Sequence, residues 1–305
     1  MTAPVTQPDA GTARALDDDA VAPLAARARA AFYAGDLPAA RAAFEALLAG
    51  SPAHAAAHDM LGRIAKYQRD WPASRHHSLC ALALHDDPAT AITAQWNAAL
   101  AATALGDRED AWRHWSACGI EVATGDGAIE RPFGVAALRL EAWGRSETVF
   151  ARRLDPVRAS LINVPLPDSG YRYGDVVLHD VAPSGERLFH QSRVPVYNAL
   201  QRLQTSGFRT FAVSVRCTER AAVEALCDLR VPGIGSVEDW TDGRPRGSLG
   251  VAAQSRSSVQ RLIERWKAAG PGRWLDAIES TDRTPCDPPA SGTPWWRSPE
   301  DRAGA

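Results

Sequence analysis

The sequence predicts an α+β chain: an array of helical hairpins over residues 21–124, a β-rich segment over 125–208 and an α/β sandwich over 209–269. Three observations carry that expectation. A turn pair recurs as Gly35-Asp36, Arg69-Asp70 and Gly106-Asp107, 34 and then 37 residues apart, and each copy opens a stretch of helical periodicity. Near Gly125-Asp126 the composition changes, Ala giving way to Gly, Pro and β-branched residues. From Arg209 onward the pattern reads strand, helix, strand, strand, helix.

Residues 1–20 contain Pro4, Pro8, Gly11 and the acidic triplet Asp17-Asp18-Asp19, and read as a disordered lead-in. They lack the basic start and apolar centre of a secretion signal, which predicts a cytoplasmic location. No apolar run approaches the ~18–20 residues of a membrane span, so no membrane partner is expected. The formal net charge is −2 over 305 residues, and the cations are almost all Arg, scattered among acids, with Lys66 and Lys267 the only lysines. That distribution argues against a nucleic-acid partner. The five cysteines (Cys80, Cys118, Cys217, Cys227 and Cys286) are odd in number and irregular in spacing, which fits reduced thiols.

The first hairpin runs from Leu24 to Pro52. Its first helix carries Ala28, Ala31 and Phe32, and its second carries Leu37, Ala40, Phe44, Leu47 and Leu48. The second hairpin, Ala55 to Pro88, places Leu61-Gly62, Ala65, Tyr67, Trp71, Leu79, Leu82 and Leu84 three and four apart. The third, from Ala91 to about Val122, does the same with Trp96, Ala99, Leu100, Leu105, Ala111, Trp112 and Trp115. Small residues at Ala40, Gly62, Ala99 and Ala111 let paired helices approach closely.

On Leu61-Gly62, Ala40, Phe44, Pro52, Ala111 and the Gly-Asp turns, the first 40% or so of the chain resembles the tetratricopeptide repeat family. Arg27-Ala28 stands where that family has Leu-Gly, and Ser74 and Ser78 stand where it has Ala and an aromatic residue. A generic helical-hairpin array is the alternative, with the same consequence for function. The resemblance implies stacked units whose first helices line a groove for another protein. Arg29, Phe32, Asp59, Arg63, Lys66, Trp96 and Leu100 would lie there. Three cations, one acid and two aromatics would suit an acidic or C-terminal segment. A solvated helix face is the plainer reading of Arg29, Arg63 and Lys66.

In the second half, strands are predicted over Val135–Leu140, Thr148–Arg152, Ala159–Val164, Asp175–His179 and Arg187–His190, with helix as the alternative from Val135 to Arg152, and with Pro165, Pro167, Gly170, Pro183 and Gly185 at the joints. Gly170 to Asp175 reads as a turn entering a buried strand. Arg209–Cys217 is a strand, Thr218–Leu229 a helix, Ile234–Trp240 and Ser248–Ala253 a hairpin across Asp242-Gly243, and Ser255–Ala268 a helix. That order is most of a ferredoxin-like sandwich. From Gly270 a Pro-rich tail is expected to be loosely held, with Pro294-Trp295-Trp296 either a docking motif or packed back on the body.

Candidate chemistry is sparse. His54, His58 and Asp59, and separately His76, His77 and Cys80, have short spacings that could begin a metal site, but neither set has a second half. His179-Asp180 resembles half of a metal-dependent phosphohydrolase dyad, placed on a strand instead of a helix. Val231 to Gly235 lacks the third Gly and the Lys-Ser/Thr of phosphate-binding loops, and reads as a turn. No catalytic, metal or cofactor set is assigned. The expectation is an adaptor that binds a partner protein or peptide, with a secretion-accessory or toxin-neutralising protein as a special case. The alternative is a small hydrolase or transferase gathering His179, Asp180, His190 and Cys217 into one pocket.

Overall fold

The computed structural model describes residues 18–120, 133–144, 146–241, 246–280 and 283–297. The chain before Asp18, the Val122 end of the third hairpin, the Gly125-Asp126 boundary and the Asp242-Gly243 turn lie outside them. Two compact units emerge: the chain up to Ala101 with Ala290–Pro294, and Ala102–Pro289 with Trp295.

Six helices come first in the chain: α1 (Asp18–Ala34), α2 (Leu37–Gly50), α3 (Ala55–Tyr67), α4 (Trp71–Leu84), α5 (Pro88–Leu105) and α6 (Arg108–Ala117). The repeated turn pair is one physical device used three times. Asp36, Asp70 and Asp107 are N-caps whose carboxylates accept the N–H of Ala39, Ala73 and Asp110 at 3.0, 3.2 and 3.1 Å. Each satisfies an N–H that the first helical turn leaves without a carbonyl, worth about 1 kcal/mol. The residue before each cap has positive φ, +88° at Gly35, +58° at Arg69 and +77° at Gly106. Glycine adopts that conformation without strain, whereas Arg69 does not.

In the first unit α1 packs on α2, α2 on α3 and α3 on α4. Phe32, Phe44, Leu47, Leu61 and Ile64 form its dry interior. The two departures at Ser74 and Ser78 have a local reason. Both are buried, the Ser74 hydroxyl donates to the Gly62 carbonyl at 2.9 Å, and a Cβ on Gly62 would stand 3.0 Å from the Ser78 hydroxyl. The α3–α4 contact is too close for an aromatic ring, and its buried hydroxyl is satisfied.

The second unit begins its β structure with a closed five-stranded barrel: β1 (Val135–Leu140), β2 (Glu147–Arg153), β3 (Arg158–Leu161), β4 (Val176–Phe189) and β5 (Ser192–Gln204). Successive strands are antiparallel, and β5 closes the barrel by running parallel to β1, with Leu138 opposite Tyr197. Leu138, Leu140, Val149, Leu161, Tyr171 and Val177 fill it. β5 was not foreseen, and the Arg187–His190 strand is the far end of a longer β4. Beyond Asp180 the β4–β5 hairpin is largely exposed, so neither strand shows the alternation of a half-buried sheet. His190, at φ +51°, sits in its turn.

A four-stranded antiparallel sheet follows in the order β7-β8-β6-β9, from β6 (Arg209–Cys217), β7 (Ile234–Asp239), β8 (Arg246–Ala253) and β9 (Arg273–Ser280). Helices α7 (Arg220–Asp228) and α8 (Arg256–Ala268) bury Val223, Leu226, Val259, Leu262 and Trp266 against Phe211, Val213, Val215, Leu249 and Val251. The Trp266 indole donates to the Ala222 carbonyl at 2.6 Å and ties the helices together.

The expectation of a loose tail from Gly270 is corrected. Residues 273–280 form edge strand β9, whose polar residues and flanking Pro271-Gly272 disguise it as loop. Further on, Cys286 N–H donates to Glu141, and a Cβ on Gly170 (φ +70°) would strike the Thr284 backbone at 2.4 Å. Trp295 is 2% exposed; its carbonyl accepts from Arg139 at 2.8 Å, and its ring meets Trp143 edge-on at 5.0 Å. In the first unit, Ser291 forms a β-bridge with Asp36.

Candidate peptide-binding face

The candidate residues of the first unit lie on the first helix of each hairpin. Arg29 and Phe32 are three apart on α1, and Asp59, Arg63 and Lys66 fall four and three apart on α3, so each set shares a face. The Phe32 and Tyr67 rings approach to 6.2 Å and bring the two helices together. The Arg63 guanidinium lies over the Phe32 ring at 5.1 Å and the Lys66 ammonium over the Tyr67 ring at 4.6 Å. Cations on aromatic faces keep much of their electrostatic stabilisation while leaving their N–H groups directed elsewhere, each contact being worth about 0.5–1 kcal/mol at partly exposed sites.

Within this cluster the residues differ in role. Arg29 is exposed and Arg63 half-buried, so both can reach a ligand. Lys66 is 3% exposed, its ammonium covered on the Tyr67 ring. Phe32 and Leu100 are both 0% exposed, which corrects their expected role as contacts: they are packing residues, and Phe32 serves as the platform for Arg63. Trp96 is half-buried on α5.

Asp59 is held by His85, whose Nε2 lies 2.9 Å from the carboxylate, so part of the acid's charge is spent within the unit. Two further aromatic residues lie beside these side chains, Tyr33 exposed and Tyr67 buried as a platform for Lys66. Tyr67 directly follows Lys66, and Tyr33, 47% exposed, meets Phe32 edge-on at 5.4 Å. Their signal in the sequence was adjacency to assigned residues, Phe32-Tyr33 and Lys66-Tyr67.

Two histidines of the first unit, His58 and His77, form a structural pair. His58 Nε2 lies 3.2 Å from the Pro52 carbonyl, which can only accept, so in the neutral pair His58 Nδ1 accepts from His77 Nδ1–H at 3.1 Å. Burial first, then His58, His76 and Arg41, push the His77 pKa down to about 4, against the pull of Asp70. Among the described residues no group of three or more His, Cys, Asp or Glu could hold a metal ion.

The residues of the enzymatic alternative are dispersed. His179 is buried in the barrel, stacked on Tyr197 at 4.6 Å, with Nδ1–H donating to the Asp180 carbonyl. Burial pushes its pKa down to about 4. Asp180 is buried and accepts the Val181 N–H, His190 is exposed in the hairpin turn, and Cys217 belongs to the sheet core. Burial raises the thiol pKa at Cys217 and takes those of Cys118 and Cys227 to about 11, the reverse of what a thiolate nucleophile needs. Val231 to Gly235 is a turn, with Gly233 at φ +83° and its carbonyl accepting Gln254 N–H.

Among the described residues no helix is long and apolar enough to cross a membrane. Comparison with known protein families, with curated proteins and with solved structures finds no match to this chain.

Proposed function

We propose that this chain is an intracellular adaptor whose helical hairpins, of the tetratricopeptide type, capture an acidic segment of a partner protein. The observation that carries this reading is the cation–aromatic cluster of α1 and α3, in which Arg63 is stacked on Phe32 and Lys66 on Tyr67, with Arg29 exposed one turn before Phe32. A guanidinium seated on a ring offers its in-plane N–H groups to a carboxylate at reduced entropic cost. The thrice-used cap and the close Gly62–Ser74 contact support the repeat assignment. The βαββαβ order and the antiparallel β7-β8-β6-β9 sheet support reading the C-terminal part as a ferredoxin-like sandwich. A secretion-accessory or immunity role is the special case in which the partner is an exported protein or a toxin.

The test uses the full chain on an array of acidic peptides, each beside its Asn/Gln counterpart. Retention by a subset of acidic peptides, lost in their neutral counterparts, is expected. Uniform failure to retain any acidic peptide contradicts the reading.

A further inference from the structure

A recess in the second unit, separate from the peptide-binding face, has the composition of an anion site. The C-terminal end of α5, residues Arg108, Trp112 and Trp115 of α6, and Asp155 and Arg158 of the β2–β3 connection enclose a cavity of about 40 Å³. A water needs roughly 10–15 Å³ measured this way, so about three water-sized groups fit. That is the heavy-atom content of one carboxylate. Trp115 is 2% exposed and closes the floor, while Gly106 at the rim has nothing within 4 Å of where a Cβ would stand.

The charge in the recess is unbalanced. Asp155 is the only acid among the described residues that line it, and it is already committed: Oδ1 accepts the N–H groups of Val157 and Arg158, and Oδ2 takes the Nε–H of Arg158. Holding Arg158 by Nε fixes the plane of its guanidinium and leaves its terminal nitrogens without a hydrogen bond among the described residues. The Arg108 guanidinium lies over the Trp112 ring at 4.8 Å and pairs with no carboxylate among the described residues. One guanidinium is fixed by an acid and another by an indole, and both still have donors to give.

We propose that this recess binds a carboxylate borne on a short apolar stem, the oxygens taken by Arg108 and Arg158 and the stem laid against Trp112. The carboxylate could be that of a free short-chain acid or the terminal group of a peptide, and both carry the same chemistry. The proposal is independent of the capture face, so either can fail alone.

The test titrates the full chain with butyrate, butyramide, N-acetyl-Gly-Leu and its C-terminal amide, read by calorimetry and by the indole N–H signals. At least one of the two acids is expected to saturate below about 10 mM, shifting the Trp112 indole signal, assigned by a Trp112→Phe variant. The matching amide should bind about tenfold more weakly or worse. The tighter acid identifies the source. Arg108 is exposed in the first turn of α6, so Arg108→Gln should fold normally and lose about tenfold in affinity, with Arg108→Lys recovering part of it. Saturation by neither acid, amides equal to acids, or undiminished affinity in Arg108→Gln overturns the proposal.

Discussion

The two units bury ionisable groups in opposite ways. In the helical unit the backbone is satisfied by its own ladder, and the side chains needed are caps at the turns: Asp36 does this from an exposed position and Asp70 from a half-exposed one. Its covered cation, Lys66, lies on a ring. In the barrel unit the connections leave N–H groups that no ladder reaches, and carboxylates enter the interior to meet them. Asp175, 0% exposed, accepts from Ser206 N–H at 2.7 Å and Arg172 N–H at 2.9 Å and pairs with Arg202. Glu147 and Glu238 together hold the segment from Asn163 to Leu166. Regular secondary structure spares its side chains for a surface, whereas irregular connections consume them. This contrast supports the proposal of a binding face in the helical unit.

The largest break in that comparison comes from Asp175→Ala. It leaves the Ser206 and Arg172 N–H groups without their acceptor and Arg202 with only the Gly170 carbonyl, and should cost about 2–4 kcal/mol in chemical denaturation. A loss below about 1 kcal/mol would show that the barrel does not depend on its buried acid. Next is Gly35→Ala, whose Cβ would meet the Gly292 carbonyl oxygen at 1.7 Å and would hold Ala at φ +88°. It should destabilise the helical unit by about 2 kcal/mol and free the 290–294 segment to proteolysis. Replacing a cap, as in Asp70→Ala, is smaller, at about 1 kcal/mol.

The pH responses sharpen the contrast. Burial, then Glu238, raise the Glu147 pKa to about 7 against the Leu166 hydrogen bond, so folding favours the protonated acid. The stability this contributes is fully present below pH 4.5 and is lost as the pH rises through 7. Glu147→Gln should therefore be more stable than the parent at pH 8 and no more stable at pH 4.5. His77 behaves inversely: its folded pKa lies below its usual value, so its contribution holds above pH 6.5 and disappears as the pH falls through 4. His77→Gln should flatten the acid limb of the helical unit, read from amide signals of α3 and α4. In the barrel His179 acts in the same sense as His77 and partly offsets Glu147.

Much of the fold was legible where burial imposes a period. The strand at Arg209–Cys217 and the helix through Val259, Leu262 and Trp266 stand at or within a residue of their expected bounds, because one face of each meets a core, whereas Val135–Leu140 also admits helix because Ala136, Ala137 and Leu138 are buried in succession and show no alternation. β5 and β9 were hidden for the converse reason. β5 buries Tyr197 to Leu200 in succession and carries Pro195 in its outer arm, so it shows no alternation, and β9 lies at a sheet edge among Asp276, Glu279 and Arg273. At the candidate face, helical spacing put Asp59, Arg63 and Lys66 together, since i, i+4 and i+7 follow from backbone geometry alone. That Phe32 is covered by Arg63, and Leu100 by packing, depends on neighbouring helices and left no local trace.

The central claim is that the α1–α3 face binds acid through its seated cations. Its most direct measurement is the Kd of the best-retained acidic peptide for the full chain and for Arg63→Glu, with unchanged thermal unfolding as the control. The account predicts at least a tenfold loss of affinity, which high salt imposes on the parent as well. Equal affinity for the two proteins would contradict it.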